Sequence, residues 1–205
     1  SFTLTAVLGM TMQMAIAIAD GFFVGNGIGE IGLATIGIVF PFWITSIAMG
    51  TLFGVGASTY VGIKLGEGNK EEARQAVGQI FWFSNIVTII ITVLVFVFID
   101  PIIITLGGQG EIIPSARSYI QVFMLGFPLY VTGLTLYYLV RVDEKPGLGM
   151  IIQVIPAAIA IVVEYFLIFR MGAGIRGSAF SAWFITLGTW YLLVFYFIFG
   201  KTDLR

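Results

Sequence analysis

Apolar residues run along this chain in long unbroken stretches, and polar residues gather in short segments between them. A helix needs about 20 apolar residues to cross lipid, and six stretches qualify. They run over Phe2–Gly25, Leu33–Ile63, Ala76–Leu106, Ile112–Tyr138, Met150–Phe169 and Gly177–Phe199. Membrane barrel strands would instead alternate in polarity over segments of about ten residues; these runs are continuous and far too long. The pattern predicts an all-α membrane protein, with six transmembrane helices forming one lobe over residues 1–205. The second and third stretches exceed one bilayer thickness, so those helices are expected to tilt, kink or protrude. Pro41, Pro101, Pro114, Pro128 and Pro156 lie inside or beside the stretches. Each removes a backbone donor and can kink its helix.

Charge in the connecting segments predicts orientation. Lys64, Lys70, Arg74, Arg141, Lys145, Lys201 and Arg205 fall on one side, against Arg117, Arg170 and Arg176 on the other. Basic residues favour the cytoplasmic face, which puts both termini there. The segment from Gly66 to Gln75 reads as a turn and a helix start, with Asn69 as the N-cap and Glu71 and Glu72 in the first turn. Gly21/Gly25, Gly25/Gly29, Gly50/Gly54 and Gly62/Gly66 have the spacing that lets helices approach closely, and they read as packing positions.

Composition narrows the chemistry. Of 205 residues, 59% are hydrophobic and 10% charged, where a soluble domain would carry about 25% charge. The net charge of −1 suggests no nucleic-acid role. With no cysteine and no histidine, disulfides, thiolate chemistry, the usual zinc sites and histidine proton relays are excluded. No nucleophile–base pair, phosphate-binding loop or metal-spaced cluster occurs, so neither enzyme chemistry nor a cofactor is expected.

Two carboxylates then stand out. Asp20 follows Ala15-Ile16-Ala17-Ile18-Ala19, and Glu164 lies inside the apolar run Ile159–Phe169. A bare carboxylate in lipid costs at least about 2.5–3.5 kcal/mol, which makes each a functional candidate. The competing reading is a carboxylate that only pins helix packing. Helical spacing puts Gln13 on the face of Asp20, and Gln153 on the face of Glu164. Burial disfavours a charged carboxyl, and a neighbouring carboxyl does so further. Such a pair can hold a proton and release it as a cation enters, so the two compete for one negative charge. Asn85, Thr88 and Thr92 form a polar stripe on the third span, and Tyr130 and Tyr137 another on the fourth. With Met10, Met12 and Met14 they could line a pocket for flat cations; ordinary packing or interfacial placement competes with that. Trp43, Trp82, Trp183 and Trp190 read as interface or packing residues.

Several segments carry a family resemblance. They are Asp20-Gly21-Phe22-Phe23-Val24-Gly25-Asn26-Gly27-Ile28-Gly29 with Gly32-Leu33-Ala34-Thr35-Ile36-Gly37; Gly54-Val55-Gly56-Ala57 with the segment Lys64–Ala73; Leu139–Pro146; and Glu164–Phe169 with Gly172–Ala179. Their order and spacing resemble the N-terminal half of a bacterial multidrug and toxic compound extrusion (MATE) transporter. The resemblance implies twelve helices in two six-helix lobes, of which this chain covers one, ending where the inter-lobe loop would begin. It implies export of cationic amphipathic molecules in exchange for H⁺ or Na⁺, with acids in the first and fifth helices matching Asp20 and Glu164, and with Asp20 as the position for Na⁺. Glu164 stands where the family usually has Asp. Ala160 replaces a frequent Asn, Ile16-Ala17 a common Tyr-Asn, Thr5 a frequent Pro, and Ala182 a usual Thr. The polar groups expected around the two acids are thus depleted.

Three functions are weighed. The leading one is a lobe of a cation antiporter for multidrug efflux. The second is half of a flippase for lipids or lipid-linked oligosaccharides; an anionic headgroup would want basic residues within the membrane, and only Arg170, at a helix end, qualifies. The third is a non-transporting structural or assembly lobe. The expected setting is a bacterial or archaeal inner membrane. The expected partner is a C-terminal lobe or, if the chain stands alone, a second copy in a two-fold dimer.

Overall fold

The computed structural model describes the backbone of residues 18–142 and 146–199, and the side chains of 18–140, 154–193 and 195. Every regular element among them is helical. Helix α1 covers 18–27, followed by α2 (Glu30–Gly66), α3 (Lys70–Val97), α4 (Ile99–Thr105), α5 (Ile112–Val142) and α6 (Pro146–Tyr165). A π-helical turn at Phe166–Arg170 prolongs α6, and α7 (Ile175–Phe199) closes the order. From α2 onward the helices follow the predicted stretches, the third being split in two, while residues 2–17 of the first stretch lie outside the described residues. Among the described residues, α2, α3 and the Ile112–Val140 part of α5 are long and apolar enough to cross a membrane.

The two overlong stretches resolve differently. The second forms a single helix of 37 residues that continues through Pro41. The third breaks at Phe98, and the chain restarts as the short α4 with Pro101 in its first turn. Proline has no N–H to offer the carbonyl of residue i−4, here Val97, so the break falls there. Arg117 Nε donates to Asp100 Oδ1 at 2.8 Å, tying α4 to α5. Between α2 and α3, Asn69 caps as predicted: its Oδ1 accepts from Glu72 N at 3.2 Å, and its Nδ2 donates to Glu72 Oε2 at 2.7 Å. Lys64 and Tyr60 also meet Glu72, which fixes the corner.

Helix α5 is the hub, packing against α2, α3, α4, α6 and α7. Its most apolar window is 56% buried, against 28% for α2 and 11% for α3. So α5 is core, while α3 turns most of its surface outward. Tyr119, Ile120, Phe123, Met124, Phe127 and Val131 supply the α5 face of the main core cluster. Large apolar side chains such as Leu52, Trp82, Val97 and Val162 are exposed, as lipid-facing residues of a membrane protein should be.

Hydroxyls follow three of the prolines by one turn. Thr45, Thr105 and Thr132 each donate to the carbonyl of the proline four residues earlier, at 2.7–2.8 Å. Such bonds back to the helix bend it and satisfy polar groups locally. Pro128 leaves the carbonyl of Met124 without its helical donor; Thr92 of α3, which donates to Thr88 O at 2.8 Å, lies 3.5 Å from that oxygen.

The glycine pairs divide. A Cβ at Gly50 would lie 2.7 Å from the Leu134 side chain, and one at Gly54 would lie 2.5 Å from that of Tyr138. The α2–α5 contact therefore rests on two bare backbone positions. Gly21, Gly29 and Gly66 have nothing within 4 Å of a Cβ, and Gly25 meets Leu33 only at ordinary contact distance. Those matches are not close-packing sites. Gly54→Val is accordingly expected to destabilise the fold by about 1–3 kcal/mol through overpacking. Gly56→Ala, in open space, should be neutral or slightly stabilising. Thermal unfolding of the two variants in detergent checks both; equal midpoints would refute the close contact.

Candidate functional site

The site is built where α1 meets the end of α6. The Phe23 ring contacts Tyr165 and Phe169 edge-on, both at 5.9 Å between ring centres. Phe23 lies one turn after Asp20, and Tyr165 directly follows Glu164. The aromatic contact therefore brings the two carboxyls into register. The π-helical turn adds to this. It accommodates an extra residue, which re-aims the side chains that follow, and Ile168 turns into the core. Ile168 also presses against α1: a Cβ at Gly27 would lie 2.3 Å from its Cγ2. Only glycine permits that approach.

Glu164 is buried, 3% exposed, while Asp20 is partly buried. The two carboxyls are close enough to interact directly. Ser178, buried on α7, donates its hydroxyl to Asp20 Oδ1 at 2.7 Å and also faces Glu164. Oε1 of Glu164 is buried with no hydrogen-bond partner among the described residues. Behind Ser178 lies Tyr119 of α5, fully buried, facing Ser178 and both acids. Its hydroxyl accepts the indole N–H of Trp43, from α2, at 3.0 Å. Trp43 is held by the rings of Phe123 and Tyr130. Five helices thus contribute one polar group each.

Two carboxyls in contact can hydrogen-bond to each other only when one carries a proton, because an ionised carboxylate has no donor. The arrangement can therefore share a proton, or exchange it for another cation.

The other predicted site residues fall elsewhere. Gln13 and the side chain of Gln153 lie outside the described residues. Asn85 Nδ2 donates to Phe81 O at 2.8 Å, and Thr88 Oγ1 to Ser84 O at 2.7 Å, both on the α3 backbone. Tyr130 and Tyr137 do come together: with Thr186 and Thr189 they line a cavity of about 100 Å³ between α5, α6 and α7. Neither acid is part of its lining. Ala160 and Ala182 are buried, so methyl groups stand where polar ones were expected. Ser178, Tyr119 and Trp43 were not among the predicted site residues. Ser178 had a legible signal, since it lies one helical turn before Ala182 and so shares its face. Trp43 had none, because one tryptophan in an apolar helix reads as packing.

Comparison with known proteins decides the family. The MatE family profile matches residues 6–166. The chain belongs to the MatE family. The multidrug export protein MepA of Staphylococcus haemolyticus is 25% identical over 178 residues, covering 87% of this chain and 39% of that protein. MepA of Staphylococcus aureus strain MRSA252 is 22% identical over 197 residues, covering 96% and 44%. Among solved structures, an outward-facing multidrug resistance MATE transporter of the MOP superfamily superposes with a TM-score of 0.91 at 24% identity, covering 99% of this chain and 45% of that one. A MOP-superfamily transporter from Pyrococcus furiosus, described as having a binding pocket of reversed polarity, gives 0.92 at 24%, covering 100% and 45%. The chain spans less than half the length of these relatives. It corresponds to the N-terminal lobe of a MATE-type transporter.

The close seat of α1 on the π-helical turn yields a test. Gly27→Ala should lower the thermal midpoint by displacing Ile168, and Ile168→Ala in that background should recover part of the loss through coupling between the contacting residues. Strict additivity of the two changes would show that they do not touch.

Proposed function

We propose that this lobe is the ion-coupling half of an exporter that moves cationic amphipathic molecules outward in exchange for protons. The Asp20–Glu164 pair is the observation that carries the reading. Two acids contributed by different helices face each other, and a single hydroxyl serves them. Such a pair is costly to keep in a membrane unless it does something. The MepA relatives are multidrug export proteins, which supports the direction and substrate class.

The mechanism follows from competition for charge. With one proton shared, the pair carries a single negative charge. A second proton neutralises it and weakens its hold on a bound cation. Loss of a proton toward the cytoplasm restores the charge and the affinity for the next cation. Tyr130, Tyr137 and the nearby threonines offer aromatic faces and hydroxyls for a flat cationic substrate. A second lobe completes the cleft, supplied by a longer chain or by another copy facing this one across a two-fold axis normal to the membrane. Both termini lie in the cytoplasm on this reading, in the inner membrane of a bacterium or archaeon.

Asp20→Asn keeps the shape and removes the titratable group. It is expected to reduce proton-driven ethidium accumulation by everted vesicles at least tenfold, and Glu164→Gln likewise. Unchanged transport in both variants would overturn the reading. Efflux that persists without a proton gradient but follows an imposed sodium gradient would replace H⁺ with Na⁺ as the coupling ion.

A further inference from the structure

The cavity of about 100 Å³ between α5, α6 and α7 lies apart from the acids, and a donor without an acceptor stands at its edge. Trp190 directly follows Thr189 on α7 and lies one turn beyond Thr186, both of which line the cavity. Its Cδ1 is 3.9 Å from where a Cβ of Gly133, another lining residue, would stand. Nε1 is bonded to Cδ1, so the indole N–H sits at the Gly133 edge of the cavity. Nε1 is buried and has no hydrogen-bond partner among the described residues. The indoles of Trp43 and Trp183 are paired, the first donating to Tyr119 Oη at 3.0 Å and the second to Val122 O at 2.8 Å. A buried indole N–H usually finds such a partner, and lipid supplies none.

Gly133 is the second observation. Gly50 and Gly54 are bare because Leu134 and Tyr138 press on them. Nothing presses on Gly133: among the described residues only the Trp190 ring approaches a Cβ there, at ordinary contact distance. Glycine inside a helix costs stability, and packing does not demand it at this position. Its missing side chain keeps the space beside the N–H open. No charged residue lines the cavity, and an unpaired charge inside it would be strongly disfavoured. Its volume is also well below the about 300–1,000 Å³ of a site that encloses a whole drug-sized ligand.

We propose that the cavity is a subsite for the neutral, oxygen-bearing end of a cationic molecule, with Trp190 donating to a carbonyl or ether oxygen and Gly133 admitting it. The charge stays outside, since neither acid lines the cavity. Tyr130 joins the two regions: it lines the cavity, and its ring meets that of Trp43 at 5.7 Å. A ligand is then read twice, for charge in one place and for an acceptor oxygen in the other.

This subsite deepens the proposed export of cationic molecules and rests on it for the ligand's charge, but its test reads binding and needs no transport. The probes are two flat cations of one shape: an N-methylquinolinium bearing an acetyl group, and its isostere bearing an isopropenyl group at the same ring position. They differ only in a carbonyl oxygen against a methylene group. Dissociation constants are measured for the chain in lipid nanodiscs, with empty nanodiscs as the baseline. The ketone is expected to bind about fivefold more tightly, the equivalent of one neutral hydrogen bond. Trp190→Phe keeps an aromatic ring and removes the N–H, so it should erase the preference by weakening the ketone alone. Gly133→Ala leaves the tryptophan in place and sets a methyl group beside the N–H, and it should erase the preference too. Equal binding of the two cations by the unaltered chain would overturn the subsite; a trapped water, which offers the N–H the same kind of oxygen, predicts that result. A preference that survives either variant would overturn it as well. Binding of neither cation would overturn the cationic substrate class and the subsite with it. A preference as expected, with no export by the unaltered chain in vesicles, would count against the transport reading alone.

Discussion

A carboxyl group inside a membrane lobe must be given partners by the protein, because lipid offers none. That requirement organises the region around Asp20 and Glu164. Asp20 takes the Ser178 hydroxyl. Glu164 is buried beside it. The aromatic contact of Phe23 with Tyr165 and Phe169, and the bare backbone of Gly27 under Ile168, hold α1 and α6 at the spacing this needs. A lobe of equal size with an apolar contact in that place would have no reason for a π-helical turn directly after Glu164. Such turns persist where their geometry is used.

The same requirement explains the hub. Helix α5 supplies the deepest part of the core and also Tyr119, the group behind Ser178. A tyrosine suits both tasks, since its ring packs like phenylalanine and its hydroxyl needs a partner only at the tip. Trp43 repeats the logic one layer out, packed on Phe123 and Tyr130 and bonded only through its N–H. The Trp43–Tyr119 and Ser178–Asp20 hydrogen bonds thus cross between helices almost without polar surface. That is the economical solution in a medium where each unsatisfied group costs several kcal/mol.

Helix content and order were legible in the sequence because the signal is long: twenty-residue apolar runs survive any local ambiguity. The two acids were legible for the opposite reason, as single residues out of keeping with their surroundings. The break at Phe98 could be placed only loosely, since Pro101 allowed either a kink or a clean stop. The stripe of Asn85, Thr88 and Thr92 shows where periodicity misleads. Spacing revealed a common face but not that Asn85, Thr88 and Thr92 all turn back to carbonyls of their own helix. The Tyr119–Trp43 bond joins residues 76 positions apart, and no local pattern encodes it. Ala160 and Ala182 suggested an emptied polar site. The structure shows the hydroxyl one turn away, on the same face of α7, at Ser178.

Asp20 keeps part of its surface exposed although it lies in a helix of the lobe and not in a loop. In lipid that exposure would be strongly unfavourable. The exposed side therefore has to meet water or another protein wall. Glu164, by contrast, is sealed. One acid opens toward whatever completes the cleft, and the other is closed within the lobe. On the proposed proton-exchange reading, a proton passing between them would move between a wet and a dry position, and the energy of the charge left behind would differ in the two. That difference is the physical quantity an opposing lobe could alter by approaching or withdrawing, since it changes how much water reaches Asp20. Coupling of ion and cargo on this reading needs no long pathway. It needs only that the wall facing Asp20 moves.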